Sequence, residues 1–149
     1  MTAPCAFADH GGADYQLAEY LHSLGLVWDP AEDQAAAVGV PAVYTRLMMD
    51  KPDRAVGITV TADERDDDAN PRVSLLVVCR SDPWDAAQLD RDAGAIFAAL
   101  HDRSHYELTA GQGVLLSRRT LQGPPVQDQN RRWQRADTYV LRLLAPKPS

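Results

Sequence analysis

The sequence predicts an α+β fold, in which two helices pack on a single mostly antiparallel (mixed) sheet of about five to six strands. Three observations predict this fold. Strand-like runs come in groups and do not alternate singly with helices, which is typical of α+β proteins. Two segments repeat apolar residues at the helical spacing, and the segment near the C-terminus alternates apolar and polar residues as a half-buried strand does. The expected order is therefore helix, three strands, helix, and then two or three strands.

The first helix is predicted from Asp14 to Leu24. Three leucines recur in it at positions i, i+4 and i+7, which places them on one helical face. Gly25 stands where a C-terminal cap belongs. The segment Leu26–Val40 contains proline, glycine and polar residues, so it is predicted to be a loop or a short helical turn.

Three strands are predicted next, and the third is the most apolar. The first two, Val43–Met49 and Ala55–Thr61, are joined by the turn-forming sequence DKPD. Alternate residues of each of these strands are expected to share one face. The third strand, Arg72–Cys79, is apolar on both faces. Such a strand lies in the centre of a sheet or is covered by a partner.

The second helix is predicted to begin at Pro83, with Asp82 as its N-cap and Asp85 three residues after the cap. Its apolar stripe consists of Leu89, Ala93, Ile96, Phe97 and Leu100. Three further strand-like segments follow it, at Tyr106–Leu108, Val114–Leu121 and Ala136–Leu144.

Length and composition indicate one domain, residues 1–149, with flexible tails at 1–12 and 145–149. Apolar residues make up 45% of the chain, which is enough for a core, and the net charge of −6 argues against broad nucleic-acid binding. The N-terminus lacks the basic and apolar regions of a signal peptide, and no apolar run is long enough to span a bilayer. We therefore expect synthesis in the cytoplasm and no membrane partner. Cys79 is expected to be a reduced, buried residue.

The acidic loop ADERDDDANP has the alternate spacing of an EF-hand at Asp66, Asp68 and Asn70. However, Pro71 occupies the position that requires glycine, and Val77 occupies the position that requires a bidentate glutamate. We interpret the loop as a solvated turn between two strands. Weak divalent-ion binding at a subunit contact is the alternative interpretation.

No other segment predicts chemistry. His101 and His105 are four residues apart, but they lack the adjacent glutamate of a zinc hydrolase, so they are interpreted as a helix end. The chain has no G-x-S-x-G elbow, and the glycines of 111–113 precede no helix. We therefore expect that the protein is not an enzyme, and we assign no catalytic, cofactor-binding or metal-binding residue.

Arginines are concentrated in the last third of this acidic chain. Nucleic-acid contact is one interpretation, but no interleaved aromatic residues form a stacking platform there. Pairing with an acidic surface on another protein or another copy is a second interpretation, because arginine suits carboxylates. An ordinary solvated strand edge is the third.

The terminal segment has the pattern D-x-N-x-R-W-x-x-x-D-x-Y-x-L-R-L from Asp128 to Leu143. Three segments precede it in order: LHSLGLVWDP, DKPDRAVGITV and VSLLVVCRSDPWDAAQLDRDAGAIFAALHD. In this succession the sequence resembles the tail-terminator (minor capsid or minor tail) proteins of long-tailed bacteriophages. The segment TVTADERDDD departs from that family, which carries an aromatic or glycine-rich element near the second strand.

The resemblance implies a structural virion protein without chemistry and without cofactors. Such proteins form a homo-oligomeric ring, usually a hexamer, at the head-proximal end of the tail tube, where they end tube polymerisation and provide the head–tail joining surface. The implied partners are other copies of the chain, the tail tube protein and the head-completion protein, and DNA passes through the lumen without specific binding. The implied location is the virion tail, after synthesis in the host bacterial cytoplasm. The alternatives are a head–tail connector or completion protein, a tail-tube ring subunit, and a small cytoplasmic enzyme or ligand-binding domain.

A closed ring of identical subunits needs two different surfaces that fit each other. We predict that the acidic loop of one subunit faces the arginines of its neighbour, and that apolar burial supplies most of the affinity. The candidate interface residues are Asp66, Asp67, Asp68, Arg118, Arg119, Arg131, Arg132 and Arg135. Trp133, in the loop before the last strand, and Tyr139 within that strand are the predicted structural anchors.

Overall fold

The structure is a computed structural model and describes residues 12–64, 70–108 and 111–144. Its helices are α1, Ala13–Ser23, and α2, Ala86–Leu100. Its strands are β1 Ala42–Thr45, β2 Ala55–Glu64, β3 Arg72–Ser81, β4 Arg103–Glu107, β5 Gly113–Gln122, β6 Val126–Gln127 and β7 Trp133–Leu143. A 3₁₀ turn, Gln34–Ala36, precedes β1. The predicted α+β class and element order are confirmed.

The strands form one mixed sheet in the order β1-β2-β3-β7-β5-β4, with the short β6 paired to β7. The pair β1 and β2 is parallel, and the other pairs are antiparallel. In the central pair, Arg72 lies opposite Arg142 at one end and Ser81 lies opposite Trp133 at the other. The two-sided apolar strand β3 therefore lies in the centre of the sheet, as its sequence predicts.

Both helices pack on the same face of the sheet, and the core lies between the two layers. Alternate residues of the central strands fill it: Val73, Leu75, Val77 and Cys79 from β3, and Tyr139, Leu141 and Leu143 from β7. The α2 stripe is buried as predicted, except that Phe97 is half-buried. Burial raises the pKa of the Cys79 thiol, which keeps it neutral.

The first strand is shorter than the predicted Val43–Met49. It ends at Thr45, because Arg46 adopts a φ of 77° and the Leu47 N–H turns back to the Thr45 carbonyl at 3.1 Å. Leu47 and Met49 are 76% and 56% exposed, so they do not share a face with the buried Val43. The prediction of one common strand face was wrong beyond Thr45.

Helix α2 begins later than predicted, and its N-cap is Asp85. The Asp85 carboxylate accepts a hydrogen bond from the Gln88 N–H at 3.1 Å. Asp82 and Pro83 instead belong to a turn that the Asp85 N–H closes on the Asp82 carbonyl at 3.1 Å. Proline suits the second position of a turn as well as the first position of a helix, so the sequence did not distinguish them.

Trp133 is the first residue of β7 and does not lie in the preceding loop, which corrects the predicted start of the last strand. The candidate interface residues Asp66, Asp67 and Asp68 lie outside the described residues, as do both predicted tails apart from Gly12. Among the helices of the described segments, none has the length and apolar character needed to cross a bilayer.

Candidate interaction surface

One face of the sheet is not packed against either helix. Successive side chains of a strand point to opposite faces, so the residues that alternate with the core residues emerge on this side. We call it the open face, and its central residues are Arg72, Ser74, Leu76, Val78, Leu116, Arg118, Thr120, Gln134, Ala136, Thr138, Val140 and Arg142. All of them are half-buried or exposed, although five are apolar. The open face is therefore a mixed surface, in which five apolar side chains stand among arginines, hydroxyl groups and an amide, and such a surface is a candidate for contact with a partner.

A loop formed by residues 46–53, which we call the strap, covers one end of the open face. Arg80 lies at that end of β3 and is 3% exposed. Its guanidinium group donates hydrogen bonds to four strap carbonyls, at 2.7, 2.7, 2.8 and 3.3 Å. Met48 of the strap lies over Gly57, where an added Cβ would be 3.5 Å from the methionine sulfur. Arg80 therefore attaches the strap to the sheet, and the Tyr44 hydroxyl adds a bond to the Lys51 carbonyl at 2.9 Å.

The opposite end of the open face forms a groove of about 200 Å³, which we call the arginine groove. Its lining consists of Arg72, Leu116, Arg118, Thr120, Val140 and Arg142. Arg118 donates to Asp102 at 2.6 Å, and Arg142 donates to the Asn70 carbonyl at 2.8 Å. Small-molecule sites usually enclose roughly 300–1,000 Å³. The groove is therefore better suited to a protein side chain than to a metabolite.

The predicted interface arginines do not share one surface. Arg118 and Arg119 are neighbours in β5 and point to opposite faces. Arg118 lies on the open face, whereas the Arg119 guanidinium carbon lies 3.9 Å from the centre of the Phe97 ring on the helix side. Arg131 is exposed in the turn before β7, with a φ of 64°.

Arg132 connects the strap to the turn before β7. Its side chain is 9% exposed, and it pairs with Asp128 at 2.8 Å and with Asp53 at 3.4 Å. It also donates a hydrogen bond to the Asp50 carbonyl. Burial acts to raise the pKa of Asp128, but hydrogen bonds from the Arg132 backbone and side chain outweigh this effect and lower that pKa. The guanidinium group of Arg132 is thus already paired with strap and turn residues of its own chain.

Arg135 also forms its ion pairs within its own chain. Its side chain is 8% exposed, and its guanidinium group forms a fork with Asp137 at 3.0 and 3.1 Å on the helix side of β7. It also reaches Asp90 of α2 at 3.5 Å. Arg132 and Arg135 therefore stabilise the interior of the subunit, and among the described candidates Arg118 and Arg131 are the arginines exposed to a neighbour.

The two predicted anchors lie in the core layer. Tyr139 is completely buried, and Trp133 is half-buried and packs against the core cluster. Burial raises the pKa of the Tyr139 hydroxyl, so it remains protonated. Whether Trp133 holds the terminal hairpin in place stays a prediction.

Both edge strands of the sheet have features that oppose pairing with another strand. At β1, the Val43 N–H is already bonded to the Gln34 side-chain oxygen at 2.8 Å. At β4, His105 adopts a φ of 54°, which interrupts the extended edge. Association through the open face is therefore favoured over association edge to edge.

Trp84 is a surface residue that sequence reasoning missed. It is 81% exposed and lies beside a cleft of about 430 Å³, which we call the strap cleft. The other residues that line this cleft are Asp50, Lys51, Asp53, Pro83, Asn130 and Arg132. The available signal was an aromatic residue inside the turn sequence DPWD, where no core position is expected.

The sequence placed Val140 and Arg142 together on the face of the last strand opposite Tyr139, but neither they nor Leu116 were among the candidate interface residues. The alternation of β7 was visible in the sequence, but the side of the sheet that lacks helices was not. The one sequence signal was that β3 is apolar on both faces, which indicates that Leu76 and Val78, on the face away from the helices, can pack against a second partner.

Within residues 12–64, 70–108 and 111–144, no group of three or more His, Cys, Asp or Glu side chains is arranged to hold a metal ion. His101 is the C-cap of α2, and its Nδ1 accepts a hydrogen bond from the Arg119 N–H at 3.1 Å, while His105 is exposed in β4. The sequence matches no protein-family model, and no curated protein is significantly similar to it.

Proposed function

We propose that this chain is a structural subunit that assembles with copies of itself into a closed ring, and that the ring caps the head-proximal end of a phage tail tube. The observation that carries the proposal is the open face. The helices cover one face of the sheet, and the five apolar residues of the open face would lose contact with water if a partner covered the other face, which favours association. The assignment to a tail tube follows from the sequence resemblance to tail terminators.

The arrangement of the open face supports a ring more than a two-fold dimer. The strap covers one end of this face and the arginine groove lies at the other. A subunit with two different ends suits a heterologous contact, which closes into a ring when the rotation between neighbours is right. The altered sheet edges favour the same mode, because they oppose growth of the sheet from subunit to subunit.

The effect of this chain on the growth of tail tubes tests its proposed role in the virion. Tail tube protein from the same source is induced to polymerise with and without the chain, and tube lengths are measured by electron microscopy. Capping predicts shorter tubes whose number stays the same, with the chain located at tube ends. A Leu24→Asp variant serves as a control, because Leu24 is a 44% exposed apolar residue outside the open face.

Other results of the tube assay would favour one of the alternative functions. Incorporation of the chain along the whole tube would make it a tube subunit. Binding to the head portal without an effect on tube length would make it a connector or completion protein. Tubes that neither shorten nor bind the chain would refute the proposal.

A further inference from the structure

Two exposed features lie at opposite ends of the sheet. The arginine groove lies beside Arg72 at the start of β3, and Trp84 follows Ser81 at the end of the same strand. A strand of this length spans roughly 30 Å, at about 3.3 Å per residue. The two features are therefore too far apart to meet within one chain, but each is accessible to a neighbour.

The chemistry of the two features is complementary. The groove is lined by the apolar side chains of Leu116 and Val140 together with three arginines, Arg72, Arg118 and Arg142. Arginine stacks on aromatic rings, and tryptophan is the strongest partner for such a contact. An indole ring placed in this groove would contact the apolar side chains and could stack against a guanidinium group of the lining arginines.

The same kind of contact already occurs twice within the subunit. The guanidinium carbon of Arg119 lies 3.9 Å from the centre of the Phe97 ring, and that of Arg103 lies 5.1 Å from the centre of the Tyr106 ring. Charge also fits, because Asp50 and Asp85 lie near Trp84 with side chains that are 70% and 38% exposed. These carboxylates would approach the groove arginines of a neighbour.

We propose that Trp84 of one copy of this chain inserts into the arginine groove of the next copy, so that subunits associate head to tail. This inference names the contact that the proposed ring would use, and to that extent it rests on the proposed function. It also defines two separate halves of one interface, each of which can be removed without affecting the other.

The test uses two variants, each of which lacks one half. Trp84→Ala removes the inserted side chain but leaves the groove, and Leu116→Asp places a carboxylate in the groove lining but leaves Trp84. Both positions are exposed, so circular dichroism should show that both variants fold. Sedimentation velocity of each variant alone, of an equal mixture and of the wild-type chain then measures association.

The wild-type chain is expected to associate at millimolar concentration, and each variant alone is expected to remain monomeric. Loss of a central interface tryptophan should weaken association by at least about 30-fold. The equal mixture should form a one-to-one dimer and nothing larger, because only one intact Trp84 and one intact groove meet. Trp84→Phe keeps an aromatic ring, and Leu24→Asp changes a 44% exposed leucine outside the open face, so both should associate like the wild type.

Three outcomes would overturn the inference: a wild-type chain that stays monomeric at millimolar concentration, a Trp84→Ala variant that associates like the wild type, or a mixture that stays monomeric. The tube assay separates this inference from the proposed function. Dimers in the mixture together with a wild-type chain that does not cap tubes would refute the function alone. Capping of tubes by the Trp84→Ala variant would refute the inference alone.

Discussion

The buried pair of Arg135 and Asp137 allows a quantitative test of how the terminal strand is stabilised. The two side chains are 8% and 4% exposed, and Arg135 forms both bonds of its fork with Asp137. In Asp137→Asn the buried guanidinium group loses its closest counter-charge and keeps only the exposed Asp90 at 3.5 Å, and Arg119 loses its partner at 3.6 Å. Breaking a buried pair in this way costs about 3–5 kcal/mol. For a chain of this size each kcal/mol lowers Tm by about 2–4 °C, so a decrease of about 6–20 °C is expected.

The exposed pair of Arg118 and Asp102 provides the matched control. Its atoms approach to 2.6 Å, which is closer than in the buried pair, but its side chains are 56% and 52% exposed. Asp102→Asn should therefore lower the stability much less than Asp137→Asn does, because solvent screens an exposed pair. Asparagine also tolerates the positive φ of 55° at this position.

The assay is urea unfolding of both variants, followed by circular dichroism, with thermal unfolding as a second measurement. The double variant Arg135→Met with Asp137→Leu should recover most of the stability lost in Asp137→Asn, because it removes both charges together. If Asp137→Asn costs no more than Asp102→Asn, then burial does not determine the strength of these pairs and the reasoning is refuted.

Three further predictions concern the same part of the chain. Gly123→Ala should cost about 1–3 kcal/mol in thermal unfolding, because its Cβ would lie 2.2 Å from a backbone oxygen of β7. Gly113→Ala should cost less, because its Cβ would meet the side chain of Leu144, at 2.6 Å from a methyl carbon and 3.2 Å from the Cβ, and no backbone atom within that distance. Trp133→Ala should cost about 2 kcal/mol and speed amide exchange in the β6–β7 hairpin, and wild-type stability would remove its anchor role. The bonds from Arg132 lower the pKa of Asp128 in the folded chain. The carboxylate therefore contributes its full share of the unfolding free energy above pH about 4, which is the pKa of an aspartate in the unfolded chain. This contribution is lost as the pH falls through the pKa of the folded chain. The difference in unfolding free energy between the wild type and Asp128→Asn should therefore shrink in acid, and a constant difference would contradict this.

Local sequence patterns predicted the elements of this protein well where periodicity was long and uninterrupted. The 11-residue helix α1 and the 15-residue helix α2 followed from apolar residues at helical spacing. The strand β7 followed from alternation, although it begins earlier, at Trp133. Errors occurred at ends, where one local pattern permits two structures: the alternation Val43–Met49 continued past the real end at Thr45, and both Asp82 and Asp85 could cap a helix.

The candidate site was less predictable, because its partners are distant in sequence. Arg132 and the strap residue Asp50 are 82 residues apart, and Arg135 and Asp90 are 45 residues apart. The sequence showed a concentration of arginines, but it could not show that Arg132 and Arg135 turn inward to carboxylates. It also could not show that Arg118 and Arg142 line the same groove, since this depends on the pairing of β5 with β7.

The sequence by itself determined the kinds of elements, their order and the two-sided apolar character of β3, because each depends on residues within one or two turns or a single strand. The tertiary structure decided which face of the sheet the helices cover, which arginines are buried, and that the groove and Trp84 lie at opposite ends. These features arise from strand pairing and layer packing between segments far apart in the chain, and no local pattern encodes them.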